Sequence, residues 1–319
     1  MNTDPIGAGR GGTDSPRPAR RSSGLRAARF LALLVLAGGA AAALVGLFDR
    51  GAAWPAGQAV PPTLANAWGL STALEGAGAY ARDSRSFAVQ ERAQDLVTLV
   101  FGLPLLAAGL VLTRRPSRGG RLLLTGALGY FLYCYGMMAV GTAYNRYFLL
   151  YVGVFAASLQ AFVLSYSSID VDEVAEAVAG SFPRRGVAVL SVLVGLFLAL
   201  NWLGGLVLPS LLGGRAPAGM DDGGTLFVQA LDLGVLVPVA FLATFWLFRR
   251  DRRGYVLGAV LMVKGAAEGL AVAAMGLSMR ASGIEAPLPL VLGFLALALA
   301  ALALGALCLR SAGFVPKGG

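Results

Sequence analysis

The residues of this chain best suited to chemistry are Asp232, Lys264 and Glu268, because each lies inside a long apolar run. Lys264 and Glu268 are one helical turn apart, so they can neutralise one another locally. Asp232 lies about two turns into its own run, and helix rise puts it within about 6 Å of the depth of Glu268. An ionised side chain at mid-membrane costs about 2.5 to 3.5 kcal/mol on insertion scales, so such groups face protein or water and pair. Two chemistries fit. In one, a carboxylate whose charge is modulated by a neighbouring lysine binds a cation or relays a proton. In the other, the trio is an interhelical staple without a ligand.

Other constellations are absent from the sequence. The chain has no His, and its 2 Cys, Cys134 and Cys308, both lie in apolar runs, which removes the common zinc, haem and His-based acid-base sites. It has no G-x-S-x-G elbow, no glycine loop ending in a Walker lysine and no paired cysteines. Asp232 with Glu268 is the one pair available for aspartyl hydrolysis within the membrane. The expectation is therefore a protein that is not an enzyme, with no catalytic residue, metal or cofactor.

Elements that could hold such charges follow from composition. Of 319 residues, 57% are apolar and 13% charged, a membrane-protein balance. The net charge of +9 resides in short basic clusters between apolar spans, which fits insertion topology and not nucleic-acid binding. Eight runs are long enough to cross hydrocarbon as helices: 30–48, 96–112, 122–141, 147–166, 187–208, 226–248, 255–278 and 288–309. Of the 26 Lys and Arg, 18 fall on the side of the N- and C-terminal tails and 7 on the other, with Lys264 inside a span. Both termini are thus expected in the cytoplasm. The first span, with Arg20-Arg21 before it, also has the layout of a signal peptide, but its apolar stretch is long for one and favours a retained helix.

The chain divides into a disordered basic tail at 1–29, a first four-helix half at 30–166 with an outer loop at 49–93, and an acidic amphipathic linker at 167–186. A second half at 187–309 and a tail at 310–319 follow. The outer loop carries Trp54, Trp68 and Tyr80 and should pack as a cap or interfacial loop. In the linker, Asp170-Val-Asp-Glu173 has capping-box spacing ahead of Val174 and Val178. An offset of 135 residues brings Arg114-Arg115-Pro-Ser-Arg118-Gly119 onto Arg249-Arg250-Asp-Arg-Arg253-Gly254 and Gly141 onto Gly276. Pro104 meets Pro238 at nearly the same offset. The fold class expected is an all-α bundle of about eight spans built as two parallel four-helix repeats about an axis along the membrane normal.

On the seventh span, Gly258, Gly265, Gly269 and Gly276 fall within about 40° of one another, a stripe that lets a neighbouring backbone approach. The stripe lies about 100° from Lys264 and Glu268, so this span should be central, meeting one neighbour through glycine and another through charge. Gln94, Asp95 and Gln229 are candidates for an outer vestibule, or for helix caps at the water boundary. Tyr130, Tyr133, Tyr135, Tyr144, Tyr147 and Tyr151 have the distribution of an interfacial belt. Asn201 with Trp202 suggests a hydrogen bond between helices.

Several stretches taken together resemble a family of uncharacterised multi-spanning membrane proteins of bacteria. They are Ala93-Gln-Asp-Leu-Val-Thr-Leu-Val-Phe-Gly-Leu-Pro104, Gly129-Tyr-Phe-Leu-Tyr-Cys-Tyr135, Tyr144-Asn-Arg-Tyr-Phe-Leu-Leu-Tyr151, Leu231-Asp-Leu-Gly-Val-Leu-Val-Pro238 and Val263-Lys-Gly265. The resemblance covers most of residues 93 to 278. It implies the architecture and carries no activity, substrate or site with it. The excess of Arg over Lys fits a GC-rich bacterial genome and hence a plasma membrane, with the lipid bilayer as partner and a second copy or another membrane protein as further candidates.

Threading can be checked directly. Single cysteines placed at 55–90 or near Asp221 should react with an impermeant thiol reagent on intact cells, and cysteines at Ser117 and Asp251 should not. Labelling of position 251 from outside would reverse the orientation.

Overall fold

The structure is a computed structural model that describes residues 18–66, 68–217 and 225–313. Among the described residues eight helices are long and apolar enough to cross a membrane: α1 (Pro18–Phe48), α2 (Arg85–Leu112), α3 (Arg118–Gly141), α4 (Phe148–Ser168), α6 (Arg184–Gly213), α7 (Phe227–Phe248), α8 (Arg252–Ala281) and α9 (Leu288–Ala312). A short helix, α5 (Val171–Val178), lies in the linker, and strands β1 (Thr63–Ala65) and β2 (Ser71–Ala73) pair antiparallel in the cap with Thr63 opposite Ala73. The fold is therefore an all-α transmembrane bundle. The tail expected to be disordered as far as residue 29 is instead helical from Pro18. Ala, Leu and Arg there are strong helix formers, so the first span continues as helix beyond its apolar stretch. Residues 1–17, 218–224 and 314–319, and with them the labelling site near Asp221, lie outside the described residues.

Local chemistry sets the helix starts. Ser84, Ser117, Asp170 and Asp251 each occupy an N-cap and accept from a backbone N–H of the first turn, at Phe87, Gly120, Asp172 with Glu173, and Arg253 respectively. Three spans contain a π-helical stretch: Thr98–Gly102 in α2, Leu200–Val207 in α6 and Asp232–Leu236 in α7. Each ends two residues before a proline, at Pro104, Pro209 and Pro238. A proline ring clashes with the carbonyl four residues earlier and offers no N–H, so a helix that continues through it must shift its hydrogen bonds. Here the residue before each proline donates five residues back, Leu103 to Thr98, Leu208 to Leu203 and Val237 to Asp232.

α3 and α8 form the centre. In the most apolar stretch of each, 72% of residues are buried, against 22–39% in the other spans, which face lipid. They cross where a Cβ on Gly126 would lie 2.5 Å from Val263 Cβ and one on Gly129 would lie 3.5 Å from Lys264 Cγ. Around them α1 packs on α4, α2 on α3 and α8, α6 on α7, and α9 on α8. Three glycines of the expected stripe, Gly265, Gly269 and Gly276, face α9 through Ala301, Ala298 and Val291. Gly258 does not share that partner; its hypothetical Cβ would lie 2.9 Å from Val187 Cγ1 on α6 and 3.2 Å from Leu247 on α7. The stripe is longer than the crossing of α8 with α9, so its end passes to a different pair of helices.

At the arginine-rich end, α5 lies between the two R-R-x-x-R-G loops. Glu173 pairs with Arg118 at 3.6 Å and Asp172 with Arg252 at 2.7 Å, while Val174 and Val178 are buried beneath. Exposed pairs of this kind contribute little individually, so the buried valines carry the docking and the charges set its orientation. At the opposite end residues 49–84 form a cap. Asp49, just past α1, accepts from Gly51 N at 3.0 Å, Arg146 Nη2 at 2.7 Å and the Tyr147 hydroxyl at 3.0 Å. Burial raises its carboxyl, but the Gly51 N–H, Arg146 and Tyr147 together hold it below the ordinary carboxylate range. Glu75 is joined to Arg92 at 2.5 Å, and Asp83 Oδ1 accepts from Ala143 N at 2.6 Å, so the cap is fastened to both α2 and the α3–α4 turn.

The α8–α9 contact predicts opposite outcomes for two neighbouring glycines. A Cβ at Gly269 would lie 2.9 Å from Ala298 Cβ and 3.2 Å from its Cα, whereas one at Gly265 would meet nothing closer than 3.9 Å. Gly269→Val should lower stability in detergent by about 1 to 3 kcal/mol through overpacking. Gly265→Ala should leave the melting temperature within a degree or two, about the scale of a few tenths of a kcal/mol.

Candidate functional site

Tyr133 of α3 joins two of the three intramembrane charges, Asp232 and Lys264. Its hydroxyl donates to Asp232 Oδ1, and its ring face lies 4.0 Å from Lys264 Nζ, a cation–π contact. The other oxygen of Asp232 accepts from the indole N–H of Trp202 at 2.8 Å. Lys264 Nζ is 3.4 Å from Glu268 Oε2, which also accepts from Cys134 Sγ at 3.8 Å. Asp232 and Lys264 are brought together through the tyrosine between them, and the cluster joins α3, α6, α7 and α8. Asp232 is also the first residue of the π-helical stretch in α7. Such widened turns are common at functional sites, and this one sets the rotation of the residues between Asp232 and Pro238.

A second polar group lies nearer the cap, on α2. Glu91, Gln94 and Asp95 are each 1% exposed. Tyr80 of the cap donates to Asp95 Oδ2 at 2.7 Å, Gln94 Nε2 donates to Glu91 Oε2 at 3.3 Å, and one turn further in Thr98 shares a 2.8 Å hydrogen bond with Tyr130. Gln94 and Asp95 therefore line no open vestibule. α2 begins at Arg85, about three turns before its apolar run, and the cap closes over those polar turns. Gln229 is half-buried in the first turn of α7. Beside it the Phe227 ring packs edge-on to Phe87 at 6.2 Å and fills the space over Gly141, which seals that side as well.

The tyrosines do not form the expected belt. Tyr130, Tyr135 and Tyr151 are at most 1% exposed, and only Tyr144, at 66%, stands well out of the protein. In α3, buried nearly all round, a tyrosine is retained where its hydroxyl finds a partner: Tyr135 donates to Gly39 O at 3.0 Å and Tyr130 is bonded to Thr98. Of the pair Asn201 and Trp202, it is Trp202 that bonds across helices. Sequence reasoning missed Tyr133 and Cys134 as partners of the charges. A usable signal was present, since Gly126, Gly129 and Tyr133 share one helical face, with two small residues for close approach and one polar aromatic.

A cavity of about 10 Å³, room for one water, lies under the cap beside Trp54, Arg82, Asn145 and Tyr147. Asp232, Lys264 and Glu268 do not line it. Among the described residues no group of His, Cys, Asp and Glu is arranged to hold a metal ion. No protein-family model, curated protein or solved structure matches this chain.

Removing the phenol hydroxyl isolates its role. Tyr133→Phe keeps the ring over Lys264 but leaves Asp232 Oδ1 without its donor, and should cost about 1 to 3 kcal/mol of stability. Adding Asp232→Asn to that variant should recover part of the loss in thermal unfolding of the detergent-solubilised protein.

Proposed function

We propose that this chain is a non-enzymatic, multi-pass plasma-membrane protein with an accessory or structural role, whose charged cluster locks two four-helix halves together. One observation carries this reading: both oxygens of Asp232 and both members of the Lys264–Glu268 pair are engaged by side chains of neighbouring helices in a packed interface. Charges so fully engaged act as a fixed join between helices.

Several coincidences support a duplicated, parallel architecture. The π-helical stretches of α2 and α7 begin 134 residues apart, the interval that separates Pro104 from Pro238. Gly129 and Lys264, which touch at the central crossing, are 135 apart. A two-fold axis between the halves brings equivalent positions into contact on that axis, as in an isologous interface. The end carrying most of the arginines would face the cytoplasm, with both termini there, and the arginine-rich composition favours a bacterial plasma membrane.

A small-solute or ion permease using Asp232, Lys264 and Glu268 is the second reading. It is favoured by the polar side chains that continue from Glu268 through Cys134, Tyr130 and Thr98 to the acids under the cap.

A double-mutant cycle separates a join from independent charges. Lys264→Met leaves buried carboxylate behind and should cost about 3 to 5 kcal/mol, much of it recovered when Glu268→Gln is added. Effects additive within about 0.5 kcal/mol would mean the two residues do not interact and would remove the basis of the structural role. A stable double variant that fails to complement a deletion strain would favour the permease.

A further inference from the structure

We propose that Glu91, Gln94 and Asp95 form a proton-binding site beneath the cap, in which Glu91 holds the proton and Asp95 the charge. This goes beyond the role assigned to the mid-membrane cluster and uses none of its residues. Glu91 and Asp95 are four residues apart on one helix, where like charges repel, and at 1% exposure neither is screened by water. Arg92 bonds Glu75 at the edge of the cap through Nη1, with its guanidinium 6.0 Å over the Tyr80 ring, and its Nε and Nη2 reach neither acid. Lys264 is taken by Glu268, and Arg82 donates to the Trp54 carbonyl at 3.2 Å. A pair of ionised carboxylates here would leave one negative charge without a counterion.

The two acids are held differently. Asp95 Oδ2 receives the Tyr80 hydroxyl, and α1 descends on it at Gly46, where any Cβ would collide with that oxygen and would lie 2.6 Å from the Tyr80 hydroxyl. A donor fixed on an oxygen suits an ionised acid. Glu91 has only the Gln94 amide, and the buried Oε1 of Gln94 has no donor at all. Amide oxygen and nitrogen are interchangeable in shape, so with Gln94 turned over its oxygen would lie 3.3 Å from Glu91 Oε2, able to accept from a carboxylic acid O–H. One proton on Glu91 therefore removes the unbalanced charge and can be donated to the Gln94 oxygen, with the amide NH2 then in the position that Oε1 holds now.

The remaining titratable groups around Glu91 come from several sides of it: Tyr80 and Asp83 of the cap, Asp95 of α2, Cys134 and Tyr135 of α3, Tyr151 of α4 and Glu268 of α8. Of these, Asp83, Asp95 and Glu268 are carboxylic acids, and the tyrosines and Cys134 are uncharged groups at neutral pH. The step is proton uptake alone: a carboxylate and a proton from water at the cap end become a carboxylic acid, and no other bond changes. From there Thr98, Tyr130 and Cys134 lead towards Glu268.

Infrared difference spectroscopy of the full chain in nanodiscs, titrated in H2O and in D2O, tests the site. At neutral pH the wild type should show a protonated carboxylic acid C=O band that shifts in D2O and bleaches at alkaline pH. The band should vanish in Glu91→Gln and move without vanishing in Glu91→Asp, which keeps the acid and serves if the Gln variant does not fold. Absence of such a band from the wild type at neutral pH overturns the proposal. So does a band unchanged in both Glu91 variants, or one lost in Asp95→Asn but kept in Glu91→Gln.

Discussion

An ammonium group at the centre of a helix bundle must be compensated within the protein, and the arrangement around Lys264 follows from that requirement. The lysine lies midway along α8 beside the point where α8 crosses α3, and Gly126 lets the two helices come close there, since a Cβ on it would lie 2.5 Å from Val263 Cβ. Glu268 answers it from the next turn of the same helix and the Tyr133 ring from across the crossing. Once the tyrosine is fixed there, its hydroxyl selects Asp232, and Asp232 selects Trp202. A local pair on one helix thereby determines how four helices are placed relative to one another. Removing a single member leaves the others buried without partners, which is why such clusters resist piecemeal change.

Proline has a related effect on the backbone. In α2 and α7 it forces a π-helical stretch, and the first residue of each stretch, Thr98 or Asp232, bonds a tyrosine of α3. The same backbone device in both helices thus presents a polar side chain to the same central neighbour, once as a hydroxyl and once as a carboxylate. If the halves share an ancestor, the difference between them lies in the side chains delivered and not in the frame that delivers them.

The two ends of the bundle are closed by different means. At the arginine-rich end a single helix, α5, bridges both basic loops with its two first-turn acids while burying Val174 and Val178. At the other end, a cap with little regular structure is pinned by Asp49, Glu75, Tyr80 and Asp83, four residues that each reach a different partner. Both closures rest on carboxylates bonded to groups far away in the chain. The cap additionally converts the first turns of α2 from a water-facing start into buried polar structure.

Eight spans and their approximate ends were legible in the sequence because hydrocarbon thickness fixes the length of a helix and a core without water leaves the backbone to satisfy its own hydrogen bonds. The centrality of α8 was legible too, since a glycine stripe and a charged pair on different faces require neighbours on both sides. The cap at Asp170 and the short amphipathic helix that follows it were legible from short-range spacing. What the sequence did not determine was which polar residues meet. Tyr133 and Tyr144 both read as interfacial tyrosines, yet Tyr133, well inside α3, becomes a junction where α3 meets α8, whereas Tyr144, in the turn beyond α3, stays exposed. Likewise Gln94 and Asp95 read as the wet start of a helix until the cap, remote in its contacts and irregular in pattern, is folded over them and over Glu91. Hydropathy measures how a segment partitions into lipid, whereas the burial of a polar side chain depends on partners from other segments, and those are chosen only when the helices pack.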